Sequence, residues 1–377
     1  MRDYRFVGCA ILFFILTAGT AMADLFGKSS LTPDWVARFQ DLSKLNAHTA
    51  LQPAHLSNVA ITGWDISGAK FPGARFDNTE WKDVKLERSV LINVTVSKSK
   101  LQGVNFDRSE LTDVTFEDTE LRSTSFYKAK LQRVRFVRCK FNGVTIDEMV
   151  GGTIDITDSR VLSSSLSDGQ LIATIKGSKL KDVRLSDLLP PSSLSFEKSD
   201  LKEVKVDRSI LTAMRAVDSH VDATFEKAKI DRVEFSNAEL DVGLDESALG
   251  TLIVHASKIT TLRMNTAHIG KVSISACTQT RNLGFYESTI GEMEIAQSAL
   301  NDLDLADVVV ESLTIRDTQL FNDDFKKLRA KKFILENVSL DKKIDFTGAQ
   351  VESLKAQNVS KRASLQLITT DSNVKFD

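Results

Sequence analysis

Residues 109–121 read Ser109-Glu110-Leu111-Thr112-Asp113-Val114-Thr115-Phe116-Glu117-Asp118-Thr119-Glu120-Leu121. Leu111, Phe116 and Leu121 stand five residues apart, and every position between them except Val114 is polar. Neither the 3.6-residue period of a helix nor the alternation of an ordinary strand produces that spacing. Followed outward, the same phase runs from Ile61 through Ile66, Phe71, Phe76, Trp81, Leu86, Leu91, Val96, Leu101 and Phe106, and on through Phe126, Leu131, Phe136 and Phe141 to Ile146. That makes 18 consecutive apolar positions; with 42% of the chain apolar, chance gives such a run about once in 10⁷.

A second column lies two residues before the first. It reads Val59, Trp64, Ala69, Ala74, Thr79, Val84, Ser89, Val94, Ser99, Val104, Ser109, Val114, Thr119, Thr124, Ala129, Val134, Cys139 and Val144, and apart from Trp64 every entry is small or β-branched. One large and one small inward position in every five residues suits a chain that turns a corner every five residues. Four such sides close a coil of about 20 residues.

Segments such as Ser109-Glu110-Leu111-Thr112-Asp113 and Ala129-Lys130-Leu131-Gln132-Arg133 resemble the pentapeptide-repeat family, with its consensus A(D/N)LXX. The resemblance covers 57–146 and is traceable to about residue 320. It implies an all-β fold, a right-handed quadrilateral parallel β-helix with the Leu/Phe column in the centre and the small column under the corners. Two departures stand out: Asp or Asn is uncommon before the central residue, and Val takes the small position in alternate repeats. Val-x-Phe repeats at 104/106, 114/116 and 134/136 interleave with Ser/Thr/Ala-x-Leu repeats at 109/111, 119/121 and 129/131. Repeats ten apart fall on opposite walls, so two facing walls should be Val/Phe-rich and the other two Ser/Leu-rich.

Beyond 146 the phase slips near 147–153, 188–195, 244–248 and 277–284, where loops are expected to bulge from the corners. The repeat domain is read as 57–320, about 13 coils. Residues 24–56 read as a helical cap, with Thr32 as N-cap, Pro33 at N1 and Trp35, Val36, Phe39, Leu42 and Leu45 on one face. The cap would shield backbone that an open β-helix end exposes. Over 321–377 a short helix at Asp323-Asp324-Phe325-Lys326-Lys327-Leu328, acids first and bases last, is expected to precede degenerate repeats.

Residues 1–23, MRDYRFVGCAILFFILTAGTAMA, place Arg2 and Arg5 before an uncharged stretch that ends in Ala21-Met22-Ala23, the layout of a cleaved signal peptide. An uncleaved membrane anchor is the alternative. Cleavage removes Arg2, Arg5 and Asp3 and takes the formal net charge from −2 to −3. An exported protein, periplasmic or secreted, is expected, without stable membrane insertion after cleavage.

The search for chemistry is negative. His48, His55, His220, His255 and His268 are scattered, without HExxH or ligand spacing. GxSxG and CxxC are missing, and Gly63-Trp64-Asp65-Ile66-Ser67-Gly68-Ala69-Lys70 misses a phosphate loop by one place. Cys139 falls in the inward column and reads as a core thiol. No cofactor, metal or catalytic residue is assigned.

One surface feature stands out. Arg122, Lys128, Lys130, Arg133, Arg135, Arg138 and Lys140 fall between Leu121 and Phe141 with no acid among them, a candidate interaction belt for an anionic partner. Against it stands a 20-residue step, Glu80, Lys100, Glu120 and Lys140, which alternates in sign along one wall. The leading reading is a non-enzymatic scaffold that binds a protein partner through its outer walls. The alternatives are binding or processing of a cell-wall polysaccharide, which would need two carboxylates in a groove, and, from the family, a DNA mimic that binds topoisomerases. Near-neutral charge and the export signal argue against the last, and Phe126 and Phe136, facing inward, cannot stack bases.

Overall fold

The computed structural model describes residues 55–58, 60–341, 344–360, 365, 368–370 and 375–376. The signal peptide and nearly all of the expected N-terminal cap lie outside the described residues. The chain is all-β, a parallel β-solenoid, and divides into two compact units, residues 1–173 and 174–377. No helix among the described residues is long and apolar enough to cross a membrane.

In the first unit the five-residue period becomes geometry through parallel pairing at a 20-residue step, interrupted once at the pair Leu131–Gly152. Ile61 pairs with Trp81, Trp81 with Leu101, Leu101 with Leu121, and Leu121 with Phe141. Fifteen residues on, Phe76, Val96, Phe116, Phe136 and Ile156 form another such column. Most of its strands are three residues long, Glu110–Thr112, Thr115–Glu117 and Glu120–Arg122 among them. Each buries its middle side chain and turns the other two outward or to the rim.

The two core layers appear as the alternation of Val and Ser predicts. Phe106 stacks on Phe126 at 4.9 Å and Phe116 on Phe136 at 5.0 Å, on two facing walls. The walls between them carry Leu-rich columns over buried Ser and Thr. On one of these walls a hydroxyl takes the place of a ladder acceptor: Thr79 N–H donates to Ser99 Oγ at 3.0 Å, and Ser99 Oγ donates to Ser97 O at 2.7 Å. On the other, Ser89 and Ser109 donate to Ile66 O and Leu86 O of the preceding coil.

The corners cost backbone strain. Asn93, Lys98, Arg108, Asp113, Asp118, Ser123, Lys128, Arg133 and Arg138 all have φ between 47° and 58°. Side chains other than Gly, Asn and Asp adopt this left-handed region at about 1–2 kcal/mol each. Lys98 is exposed and has φ 49°. Lys98→Gly should therefore raise stability by about 0.5–1 kcal/mol after glycine's own entropy loss. Lys98→Val should lower it, and urea denaturation checks both.

In the second unit eight-residue strands such as Lys229–Ser236 pass every second corner in extended conformation, with Ile230, Val233 and Phe235 inward. The column Phe235, Val254, Ile274, Ile295, Ile315, Leu335, Ala356 is continuous.

Two expectations need correction. The slips are not bulging loops; each is absorbed by lengthening or shortening one coil by one residue. Lys229 pairs with Ala248, a step of 19, while Lys179 pairs with Asp200 and Lys258 with Gln279, steps of 21. Near 147–153 the register shifts once, between the pairs Leu131–Gly152 and Val134–Ile154. Inward columns on either side hold the register, so a corner takes up a single residue. The helix expected over 323–328 is a solenoid side: Asp324 bridges to Asp304 and Asp345, and Phe325 and Leu328 are fully buried. Beyond it the ladder continues to strand Gln350–Gln357 and further.

Candidate functional site

The seven belt residues sit on consecutive sides of the first unit. Arg122 ends strand Glu120–Arg122, Lys130, Arg133 and Arg135 lie in strand Lys130–Val137, and Lys140 begins strand Lys140–Asn142. Lys128, Arg133 and Arg138 are left-handed corner residues, which swings their side chains over the adjacent coil.

That placement brings most of them to acids one coil away. Arg133 forms a two-pronged pair with Asp113, Nε–Oδ1 at 2.6 Å and Nη2–Oδ2 at 2.7 Å. Arg138 does the same with Asp118 at 2.8 and 2.9 Å and also donates to Glu117. Lys128 meets Glu148 at 3.0 Å with its ammonium 4.8 Å from the Tyr127 ring centroid, Arg135 reaches Asp155 at 4.0 Å, and Arg122 pairs with Glu120 at 2.6 Å. The guanidiniums of Arg133 and Arg138 hold the Asp113 and Asp118 carboxyls below their ordinary range, and Lys128 does so for Glu148. These pairs are solvent-exposed, so each contributes only about 0–1 kcal/mol. What they fix is the direction of the side chains.

Lys130 and Lys140 form no ion pair among the described residues. Lys130 lies in register with Glu110, and Lys140 between Glu120 and Arg160. The sign-alternating ladder Glu80, Lys100, Glu120, Lys140 is thus a column of register neighbours. The belt, strongly basic along the chain, is mixed in charge across the surface.

The second unit holds a basic group that reading along the chain passes over. Lys181 pairs in register with Lys202, and Arg184 with Lys205. All four are exposed and form no ion pair among the described residues. Like charges directly across a ladder are unfavourable. The signal was hidden because the step here is 21 residues, after the extra residue at Leu189-Pro190-Pro191.

Both described cysteines are free and buried. Cys139 Sγ donates to Phe116 O at 3.3 Å, and burial pushes its thiol up to about 12, the inert core thiol read from the sequence. His220 lies 3.1 Å from Asp200 and His255 3.0 Å from Ser275, both at the surface. Among the described residues no group of three or more His, Cys, Asp or Glu is placed to hold a metal ion.

Residues 69–149 match the family model of the pentapeptide repeat region. That stretch is a pentapeptide repeat. No curated protein matches the chain. Among solved structures the chain is similar to QnrB1, a plasmid-mediated fluoroquinolone resistance protein. The identity is 15% over 46% of this chain and 91% of that one, with a TM-score of 0.34. It is also similar to HetL, a pentapeptide repeat protein involved in heterocyst differentiation regulation from the cyanobacterium Nostoc sp. strain PCC 7120. There the identity is 14% over 58% of this chain and 98% of that one, with a TM-score of 0.30.

Proposed function

We propose that this protein is an exported, non-catalytic scaffold whose outer walls bind a protein partner, wound right-handed as its repeat family implies. The observation that carries the reading is the ordered outward surface of the first unit. Parallel register sets side chains in columns about 4.8 Å apart, and two-pronged Arg133–Asp113 and Arg138–Asp118 pairs lock the arginines in one direction. A surface of fixed, alternating charges selects a partner by complementarity of pattern. The belt from Arg122 to Lys140 is the proposed contact, with Lys130 and Lys140 as its unpaired cations. The amino-terminal layout of residues 1–23 supports export.

Crosslinking of the full chain in its native host, followed by mass spectrometry, tests the contact. Changing Arg133, Arg135 and Arg138 together to Glu removes pairs worth about 0–1 kcal/mol each, so the β-type circular dichroism should persist. Capture of the partner should fall at least about tenfold, the equivalent of 1.4 kcal/mol. Undiminished capture would remove the belt from the interface, and capture of glycan alone would replace the protein partner. Amino-terminal sequencing of the exported protein should begin at Asp24; a chain that retains Met1 and pellets with membranes would overturn cleavage.

A further inference from the structure

Asp323 is the one Asp, Glu, Lys, Arg or His in the core among the described residues, 1% exposed. It interrupts an apolar inward column. Val242, Leu262, Leu283 and Leu303 stack in register, and the Asp304–Asp324–Asp345 bridges place Asp323 between Leu303 and Ile344. In the preceding coils the column's amides keep their backbone partners, Leu262 N–H donating to Asn282 O at 3.0 Å and Leu283 N–H to Asp302 O at 3.2 Å. Leu303 N–H instead donates to Asp323 Oδ1 at 2.7 Å. Asp323 Oδ2 is buried with no hydrogen-bond partner among the described residues.

The hydroxyl columns show what this position asks of a side chain. Ser298 N–H donates to Thr318 Oγ1 at 3.4 Å, and Thr318 Oγ1 donates to Arg316 O at 2.7 Å, a carbonyl that also accepts the Gln297 N–H at 3.1 Å. Five residues on, the first bond is made to Asp323, and the matching carbonyl, Phe321 O, accepts the Asp302 N–H at 3.1 Å. A carbonyl has a second lone pair, and the hydroxyl in this place donates to it. A carboxylate accepts only; a carboxylic acid does both.

We propose that Asp323 folds as the neutral acid, its proton doing what the column hydroxyls do, and that the coils around it loosen when the proton leaves. The surrounding charges favour this. Asp302 and Asp304 come from the preceding coil, Asp324 and Lys326 from its own, and Asp341 and Asp345 from the following one; Lys342 and Lys343 lie outside the described residues. Lys326 is engaged at the surface by Asp324 at 2.9 Å and Asp345 at 3.5 Å. Burial first, then the negative charges of Asp302 and Asp341, push the carboxyl up to about 8, against hydrogen bonds from the Leu303 and Phe321 backbone. The unfolded chain releases this proton near pH 4. Between about pH 4 and 8 folding therefore takes up a proton, so stability falls as pH rises through that window and levels off above it.

The test compares the full chain with Asp323→Asn, whose amide both accepts and donates without titrating. Urea denaturation followed by probes in 299–346 should show the folding constant of the native chain falling about tenfold per pH unit relative to the variant between about pH 5 and 7.5. A ratio independent of pH would overturn the proposal. Should the variant fail to fold, infrared spectroscopy of the native chain with ¹³C-labelled aspartate decides. A buried carboxylic acid band present at pH 6 and lost near pH 8 upholds the proposal, and no such band at pH 6 sinks it.

Discussion

Phe116→Asp should unfold the central coils of the first unit. Phe116 is fully buried, pairs in register with Val96 and Phe136, and stacks on the Phe136 ring at 5.0 Å with 9° between the planes. Removing a buried Phe costs about 3–5 kcal/mol. Replacing it with a carboxylate adds the cost of an unpaired charge, since the adjoining inward residues, Val114, Val96, Val134 and Phe136, offer no polar side chain. Together the loss exceeds about 5 kcal/mol, comparable to the whole stability of many domains. Because each coil of a solenoid rests mainly on its neighbours, the loss should spread from the coil that holds residue 116. The measurement is the urea midpoint alongside hydrogen exchange of the Thr95–Ser97, Thr115–Glu117 and Lys130–Val137 strands. Phe116→Leu, which restores the Leu of the flanking walls, should cost far less. Retained protection in Phe116→Asp would mean that the inward column has been assigned to the wrong face.

Much of this fold is legible because the decisive signal is a period rather than a propensity. Every member of the column from Ile61 to Ile146 is buried, and the Val/Ser alternation along the chain predicts the two core layers. What failed was local reading where a coil departs from 20 residues. Near 244–248 and 277–284 the five-residue phase breaks and predicts loops, whereas the structure only drops or adds one residue at a corner. A pattern read every five residues registers that change as a break, whereas the ladder experiences it as a small shift in one turn. The candidate site divides the same way. The cations of 122–140 are visible as a run, but their acids, Asp113 beneath Arg133 and Asp118 beneath Arg138, stand one coil earlier and enter only with the structure. The Lys181–Lys202 and Arg184–Lys205 rungs were not visible, because their partners stand 21 apart. Asp323 reads as the acidic start of a helix only when its neighbours alone are weighed; the phase Val310, Ile315, Leu320 continues to Phe325 and puts Asp323 two residues before it, in the second inward column.

Phe325→Ala separates those two readings of the 323–328 segment most sharply. In a short surface helix Phe325 would be one residue among acids and bases, and its loss would shift stability by no more than about 0.5 kcal/mol. In the solenoid it is fully buried, its ring centroid 4.8 Å from that of Phe346 and 6.2 Å from that of Phe333. Truncation there should cost about 3–5 kcal/mol, because the inward walls above and below are held by their own ladders and cannot close over the cavity. Lys326→Ala is the matched control: its ammonium touches Asp324 and Asp345 at the surface, so its removal should cost about 1 kcal/mol or less. A large loss at 325 beside a small one at 326 is the signature of a side chain pointing into a β-solenoid core. Two small losses would return the segment to the surface and remove the wall on which the buried Asp323 depends.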